Sequence, residues 1–567
     1  MTFDRLIAKA IERKIADVQL TLTTEEQHPS YYNQALIEFY QQRNFRPVWT
    51  KKSLSQLIRN IESLESDGLN PQDYSLSHLK TALPIVEMRN KDAIPLRVND
   101  ELQATGNYLA AIFHLRYGKV NHETQEAQSQ FDLLLLTEVF GEHLTTAVEK
   151  IQLDELFQKA RPNNFYYQQW AEGLHLYKQH AIAGGWPSLA NDSTLKPCMF
   201  DPQVAVLRNR LRITGEYTDP LPEETLNGAL NSLNACLAIY PASSSSASSS
   251  AASSSSENVS SVSSAESQSS SSPSSSSSDE FFDPRLVDAV KQFQSNHYLE
   301  IDGNVGSATK AVLNISAQER IDQIRVNLDR ARSLLRQLPA DLVLVDLAGF
   351  KITYYKATKP IWESRVQVGM TYRATPLFQS EIHYLTLNPT WTVPPTILRK
   401  DVLPKIRKDI EFLTANNIHV FNSEGTELDP AVINWNAPGN ITLRQDAGND
   451  AALGKAVIRF PNHLSIYLHD TPYQRLFKRS QRAFSSGCIR VERILELVEL
   501  LLNETPGFNK IEVDSIIQTG KTRNISLAKR IPLMLAYWTI EFKDDKLRFK
   551  PDIYLRDKIA LKALNQN

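Results

Sequence analysis

Between Ser243 and Ser278 the chain places 25 serines in 36 positions. Such a stretch cannot bury enough apolar surface to offset the entropy of ordering it, so it is expected to stay flexible. The rest of the sequence must fold around it. As a random coil the tract would span roughly 30 Å, the scale of an interdomain linker. The full chain of 567 residues is too long for one core, and two to four domains are expected.

Composition narrows the function classes. Hydrophobic residues make up 42% and the formal charge is −2, which is globular material without a strong field. No basic stripe stands out, so nucleic acid is not an expected partner. Short clusters such as Lys400-Asp401 and Lys405-Ile406-Arg407-Lys408 read as a solvated helix face. No run of eighteen apolar residues suggests a membrane-spanning helix. The first ten residues are amphipathic and charged, and lack the apolar stretch of a signal peptide. Neither a CxxC pair nor an HExxH motif is present, so no metal site is expected. Three cysteines (Cys198, Cys236, Cys488) do not suggest a disulfide framework, though a Cys198–Cys236 bridge is conceivable in an oxidising compartment.

Hydrophobic periodicity organises the remainder. Apolar residues recur at helical spacing over Tyr31 to Gln42, Leu54 to Leu64 and Leu102 to Leu115, so the first 195 residues read as mostly helical. Val204, Leu207, Leu211 and Ile213 predict a short helix ending at Gly215. Leu286, Val290, Phe293 and Tyr298 predict another beyond the serines. A charged amphipathic segment, Ala317 to Leu338, carries Ile321, Ile324, Leu328, Ala331 and Leu335 on one face. Leu342-Val343-Leu344-Val345-Asp346 then opens a strand-rich region, with turns expected at Ala348-Gly349 and Lys359-Pro360.

Reactive chemistry concentrates late in the chain. Cys488 sits in Phe484-Ser485-Ser486-Gly487-Cys488-Ile489-Arg490, nineteen positions after His469. Val491, Ile494, Leu495, Val498 and Leu502 predict a helix starting just after the thiol. Its dipole and Arg490 would both favour the thiolate, and an activated Cys488 should then be alkylated well below pH 8. Gly487 allows a tight turn whose N–H groups, at Gly487 and Cys488, could face an oxyanion. Upstream, Leu464, Ile466 and Leu468 alternate with Ser465, Tyr467 and His469, predicting a half-buried strand that ends beside Asp470-Thr471-Pro472. A thiol and an imidazole on neighbouring elements suit cysteine catalysis. A lone cysteine is otherwise most often a small core hydrophobe. The Ser-Gly-Cys turn and the following Arg weigh against that reading.

His469, fifteen residues, then Ser485-Ser486-Gly487-Cys488-Ile489-Arg490 resembles the signature of YkuD-type L,D-transpeptidases, enzymes that remodel bacterial peptidoglycan. The resemblance extends through Val368-Gly369, Thr375-Pro376-Leu377-Phe378 and Leu387-Asn388-Pro389-Thr390-Trp391-Thr392-Val393-Pro394-Pro395 to Asp552-Ile553-Tyr554, roughly residues 340 to 560. Ser486 stands where many members carry a second histidine, which points to the large scaffolded (YcbB-like) subclass. Ile301 to Thr309, with Asp302-Gly303 and Gly306, resembles the turn of peptidoglycan-binding type 1 modules. Asp67-Gly68-Leu69, Pro71-Gln72-Asp73-Tyr74 and His114 to Val120 resemble the scaffold domain of the same enzymes. His114 and Arg116 read there as a scaffold helix end.

The resemblance implies a multidomain α+β chain: a helical scaffold domain (1–195), a three-helix peptidoglycan-binding-like module (196–316) with the serines as an insertion at 243–278, a connecting helix (317–338), and a β-rich catalytic domain (339–567) with a helical and loop capping subdomain at about 397–455. It implies 3→3 cross-linking of stem peptides through a thioester on Cys488, with His469 as proton carrier. Gly487 and Ser486 would shape the oxyanion loop. Arg490 would bind a substrate carboxylate or hold the loop. Tyr467 would orient His469 or line the cleft, and Trp391 would form a cleft wall or pack in a core. No metal or organic cofactor is required. Expected partners are peptidoglycan stem peptides and glycan, carbapenem-type β-lactams and possible other cell-wall enzymes. Substrate logic puts such a protein in the periplasm or cell envelope. An L,D-carboxypeptidase of the same fold, a non-catalytic peptidoglycan-binding scaffold and a cytosolic cysteine hydrolase are the alternatives.

Overall fold

The structure is a computed structural model that describes residues 2–24, 31–120, 142–219, 236–240, 278–335 and 338–566. All but the last residue of the serine tract therefore lies outside the described residues. The chain packs as two units, one of residues 1–179 with 318–567, the other of residues 180–317.

The helical part of the larger unit starts and stops where local chemistry requires. Thr50 caps helix Lys51–Ser63 in a capping box with Ser53, and the helix buries Leu54, Leu57, Ile58 and Ile61. Gly68, in a left-handed conformation, ends the following turn. Helix Ile94–Tyr117 closes the core with Tyr108, Leu109, Ile112 and Leu115. His114 accepts a place in that framework rather than in a site: its Nδ1 is 2.8 Å from the Tyr74 hydroxyl, and burial pushes its pKa down to about 3.

Helix Ala317–Leu334 joins this helical part to the sheet. Asp329, without solvent exposure, accepts the backbone N–H of Lys119 at 2.7 Å and of Val120 at 3.0 Å, and pairs with the equally buried Arg332 at 2.9 Å. Arg332 also donates to the Asp67 carbonyl and to the Tyr167 hydroxyl. On its other side Asn327 exchanges two hydrogen bonds with Thr539, and Arg330 pairs with Asp557 at 2.5 Å. Buried charges are tolerated here because each has several partners.

The strands that follow are β1 (Leu342–Asp346), β2 (Lys351–Lys356), β3 (Lys359–Gly369) and β4 (Phe378–Leu387). Four short strands then leave for a separate sheet: β5 (Trp391–Thr392), β6 (Ile418–Phe421), β7 (Glu427–Leu428) and β8 (Thr442–Gln445), ordered β5-β8-β6-β7. With helical segments between Pro395 and Ala415 they enclose their own core of Val393, Val402, Ile406, Leu413, Val420 and Leu443. The chain returns through β9 (Ala456–Arg459), β10 (Leu468–His469), β11 (Ala483–Ser485), β12 (Ile489–Val491) and β13 (Arg523–Ala536), and ends with the hairpin of β14 (Ile540–Lys543) and β15 (Lys546–Phe549). The main sheet is ordered β11-β3-β12-β10-β9-β4-β13-β1-β2, and β2 also pairs with β3. Helix Ile494–Leu502 covers it with Leu497, Val498 and Leu501. The turn expected at Lys359-Pro360 falls two residues earlier, where Ala357 and Thr358 take positive φ.

In the smaller unit, helices Pro202–Ile213 and Pro284–Asn296 each begin at a capping aspartate, Asp201 and Asp283, followed by Pro. They pack with Leu189, Leu195, Phe282 and Val305. The Asp302 carboxylate accepts from Asn304 N–H and Gln294, closing the turn before helix Ser307–Leu313. Cys198 and Cys236 are disulfide-bonded, the single bridge that the sequence left open. Both cysteines converge on the Phe282 carbonyl, which accepts from Cys198 N–H at 3.0 Å and lies 3.9 Å from the Cys236 sulfur.

Candidate active site

Strands β10 and β12 run parallel, with Leu468 opposite Ile489 and His469 opposite Arg490. Leu468 and Ile489 are fully buried in the core. Side chains alternate along a strand, so Tyr467, His469, Cys488 and Arg490 share the other face. The Ile489 N–H donates to the Tyr467 carbonyl at 3.1 Å, which sets Cys488 beside Tyr467. Cys488 is then diagonal to His469, about 8 Å away between Cα atoms from strand spacing and rise, a gap the two side chains can span.

His469 is buried, and its Nδ1 lies 2.6 Å from the Asp470 carbonyl. A carbonyl can only accept, so Nδ1 carries the hydrogen and Nε2 keeps its lone pair. Burial, reinforced by the Arg490 charge, pushes this pKa down to about 3. Cys488 retains partial exposure, and its sulfur is 3.7 Å from the Ser465 carbonyl. Burial also raises the thiol pKa, against hydrogen bonds from Tyr467 and the charges of Arg490 and Arg459. The Tyr467 hydroxyl keeps its proton, held mainly by burial and then by its position beside Cys488, and it receives a hydrogen bond from Trp391. Thiol and imidazole are therefore both neutral at rest. The expected lowering of the thiol pKa does not occur.

Burial is the main cause, and the secondary structure withholds the compensation expected from a helix. After Cys488 comes β12, and the helix starts only at Ile494, with Arg493 in a left-handed conformation before it. The thiol thus lacks the helix N-terminus anticipated from the apolar spacing. The strand predicted over 464–469 is also shorter, Leu468–His469 alone. Asn462 accepts from the N–H groups of Leu464 and Ile466 at 3.1 and 2.9 Å and donates to the carbonyls of Phe460 and Ile466, so a side-chain-organised loop replaces the ladder.

The nucleophile loop is tightly drawn. Gly487 has φ of +122°, a conformation that a side chain would strain. Its N–H donates to Ser485 Oγ at 3.1 Å, and Ser485 Oγ donates to the Cys488 carbonyl at 2.5 Å. Of the two N–H groups expected to face an oxyanion, that of Gly487 is thus already engaged. Ser486 is exposed and accepts from Arg373 at 2.8 Å. Arg490 donates to Gln367 Oε1 at 3.2 Å and lies over the Tyr473 ring at 6.0 Å. Its buried Nε has no protein partner, and among the described residues no carboxylate pairs with it. Trp391 packs against the small sheet's core and its indole donates to the Tyr467 hydroxyl.

Sequence reasoning assigned no role to Arg373, Thr375, Gln367, Tyr473 or Asp401. The signal for the first two was the short Val368-Gly369 and Thr375-Pro376 motifs. Asp401 was read as part of a solvated helix face, yet it pairs with Arg373 at 2.7 Å. Clefts of about 460 and 380 Å³ lie in the helical part and include no thiol or imidazole in their walls. No group of three or more metal-ligating side chains occurs among the described residues. No helix among them is long and apolar enough to cross a membrane.

A partly exposed thiol on one sheet face with a neutral imidazole is chemistry suited to acyl transfer. Residues 340–513 match the family profile of the YkuD L,D-transpeptidase catalytic domain, 34–174 that of a scaffold domain, and 269–313 that described as "Putative peptidoglycan binding domain". A Haemophilus influenzae protein named "Putative L,D-transpeptidase" is 35% identical over 227 residues, 39% of this chain and 46% of that protein. The match thus spans about half of the relative's length. An L,D-transpeptidase structure from Mycobacterium smegmatis aligns over 35% of this chain and 58% of its own at 12% identity, with a TM-score of 0.17, too low to carry an argument. The chain carries a YkuD L,D-transpeptidase catalytic domain, a scaffold domain and a peptidoglycan-binding type 1 domain.

Proposed function

We propose that the protein is a peptidoglycan L,D-transpeptidase that forms 3→3 cross-links between stem peptides through a Cys488 thioester. The observation that carries this reading is a partly exposed thiol and a buried imidazole, held in one tautomer through Nδ1, on the same face of adjacent parallel strands. Cys488 Sγ attacks the carbonyl of the third residue of a donor stem tetrapeptide as its proton passes to His469 Nε2. The Cys488 N–H faces the developing oxyanion. Collapse breaks the bond to terminal D-alanine, whose amine takes the proton from His469, and leaves the thioester. An acceptor amine of a second stem then attacks, gives its proton to His469, and releases the sulfur, which is reprotonated.

Tyr467 donates to the sulfur as charge develops on it, which offsets the burial that otherwise opposes thiolate formation. Arg490, whose Nε has no protein partner, offers its guanidinium to a substrate carboxylate. Carbapenem-type β-lactams would acylate the same sulfur. A cell-envelope location fits both the substrate and the Cys198–Cys236 bridge, since disulfides persist in oxidising compartments. The test is mass spectrometry of muropeptides after incubation with wild type and with Cys488→Ala. Cross-linked dimers and a thioester mass only with wild type support the proposal. Tripeptides without dimers would make water the acceptor and the protein an L,D-carboxypeptidase. Identical products from both proteins would overturn the mechanism.

A further inference from the structure

We infer that Arg373 is a positioning residue that ties the segment carrying Asp401 to the nucleophile loop, so that the small sheet's helical segment and the Ser486-Gly487-Cys488 backbone are held as one piece. This rests on the transpeptidase reading of Cys488.

Arg373 ends the turn Thr371–Arg373 between β3 and β4. That turn supports the nucleophile loop residue by residue. Met370 N–H donates to the Ser485 carbonyl at 3.0 Å, Arg373 Nη1 to Ser486 Oγ at 2.8 Å, and Thr375 Oγ1 to the Gly487 carbonyl at 2.8 Å. The turn itself has little freedom. Gly369 N–H donates to Thr375 Oγ1 at 2.9 Å, and the Tyr554 hydroxyl donates to the Gly369 carbonyl at 2.9 Å while accepting from Thr375 N–H. A Cβ at Gly369 would lie 2.1 Å from the Arg373 carbonyl, so the turn is packed against the strand end.

Of these three supports, Arg373 alone reaches out of the main sheet. Its Nη1 and Nη2 donate to Asp401 at 2.7 and 3.2 Å, in addition to the bond to Ser486. Asp401 belongs to a one-turn π-helix, Leu398–Val402, a form that recurs at functional sites. Val402 and Ile406, one and five residues further on, are buried in the small sheet's core, so Asp401 moves with that core. A planar guanidinium can hold a carboxylate and a hydroxyl together in fixed directions; a lysine ammonium is a point charge on a flexible stem. Ser486 precedes Gly487, whose φ of +122° sets the course of the backbone into Cys488. Losing the Arg373 bond would let Ser486 turn and shift the thiol and its N–H together.

The test measures single-turnover acylation of Cys488 by a stem tetrapeptide ending in D-alanine, over a range of peptide concentrations and by intact mass, with full-length proteins. Arg373→Ala and Asp401→Asn should each lower the limiting acylation rate by about 10- to 100-fold, with half-saturation changed less than about twofold. The double variant should be no slower than Arg373→Ala, because both remove one linkage. Arg373→Lys should fall between wild type and Arg373→Ala. Asp401→Asn is a near-isosteric change of a partly exposed side chain, so it tests the idea even if Arg373→Ala unfolds. An unchanged rate in Asp401→Asn, losses that multiply in the double variant, or an effect confined to half-saturation would overturn the inference. Absence of acylation in wild type would instead overturn the functional reading.

Discussion

The hydroxyl of Tyr467 offers the sharpest probe of how this thiol is activated. Burial raises the Cys488 pKa above its ordinary value, and the Tyr467 hydrogen bond is among the opposing effects. Tyr467→Phe removes the hydroxyl donor and leaves the ring. A hydrogen bond to a charged acceptor contributes about 1.5–3 kcal/mol. Since 1.36 kcal/mol moves a pKa by one, the thiol midpoint should climb by about one to two pH units. The assay is the rate of carboxamidomethylation by iodoacetamide from about pH 6 to about pH 10, read by intact mass. Cys198 and Cys236 are bonded to each other, so a single mass increment reports Cys488. Wild type should react slowly at neutral pH and gain rate above the ordinary thiol value of about 8.5, with the variant displaced further upward. A rate already on its plateau at pH 7 would mean a resting thiolate and refute the neutral pair. An unmoved midpoint in Tyr467→Phe would show that the hydroxyl does not act on sulfur.

Two further expectations concern stability. His114 and His469 are held at about pH 3 for their protonation, mainly by burial, whereas an unfolded histidine titrates near 6.5. Their folded pKa is depressed, so the unfolded chain binds more protons between about pH 6.5 and pH 3, and stability present above that window falls as pH drops through it, by up to about 5 kcal/mol per histidine. Thermal unfolding between neutrality and about pH 4 should therefore show a steep loss that His114→Gln makes shallower; parallel curves would contradict this. The Cys198–Cys236 bridge spans a sequence separation of 38, which in the chain-entropy picture contributes about 4 kcal/mol. Cys198→Ser with Cys236→Ser should lower the unfolding temperature of the small unit to that of the reduced wild type, and no change would show that the bridge is incidental.

The sequence singled out the residues of the candidate site more readily than their wiring. Cys488 and His469 stood out because a thiol after Ser-Gly and a histidine at a strand end are rare and local. Local periodicity misled where two signals overlapped. Val491 belongs to β12 and Ile494 to the helix, yet together they mimic one helical stripe. Leu464 and Ile466 alternate like strand residues, but the Asn462 side chain competes for their backbone. Arg373 and Asp401 lie 28 residues apart with nothing periodic joining them, and only the return of β4 and the small sheet brings them together. The Asp329–Arg332 pair was hidden for another reason: on a charged helix face, a buried ion pair and a solvated one read alike.

That pair has a practical consequence. Severing the polypeptide ahead of residue 318 to obtain the sheet alone would strip Arg332 of its acceptors at Asp67 and Tyr167, and Asp329 of two amide donors. It would also uncover Trp538 and Phe549, which meet Trp170 and Tyr177 edge-on. The N-terminal helices are in this sense an inner wall of the catalytic domain, and a shortened recombinant version should aggregate unless they are supplied.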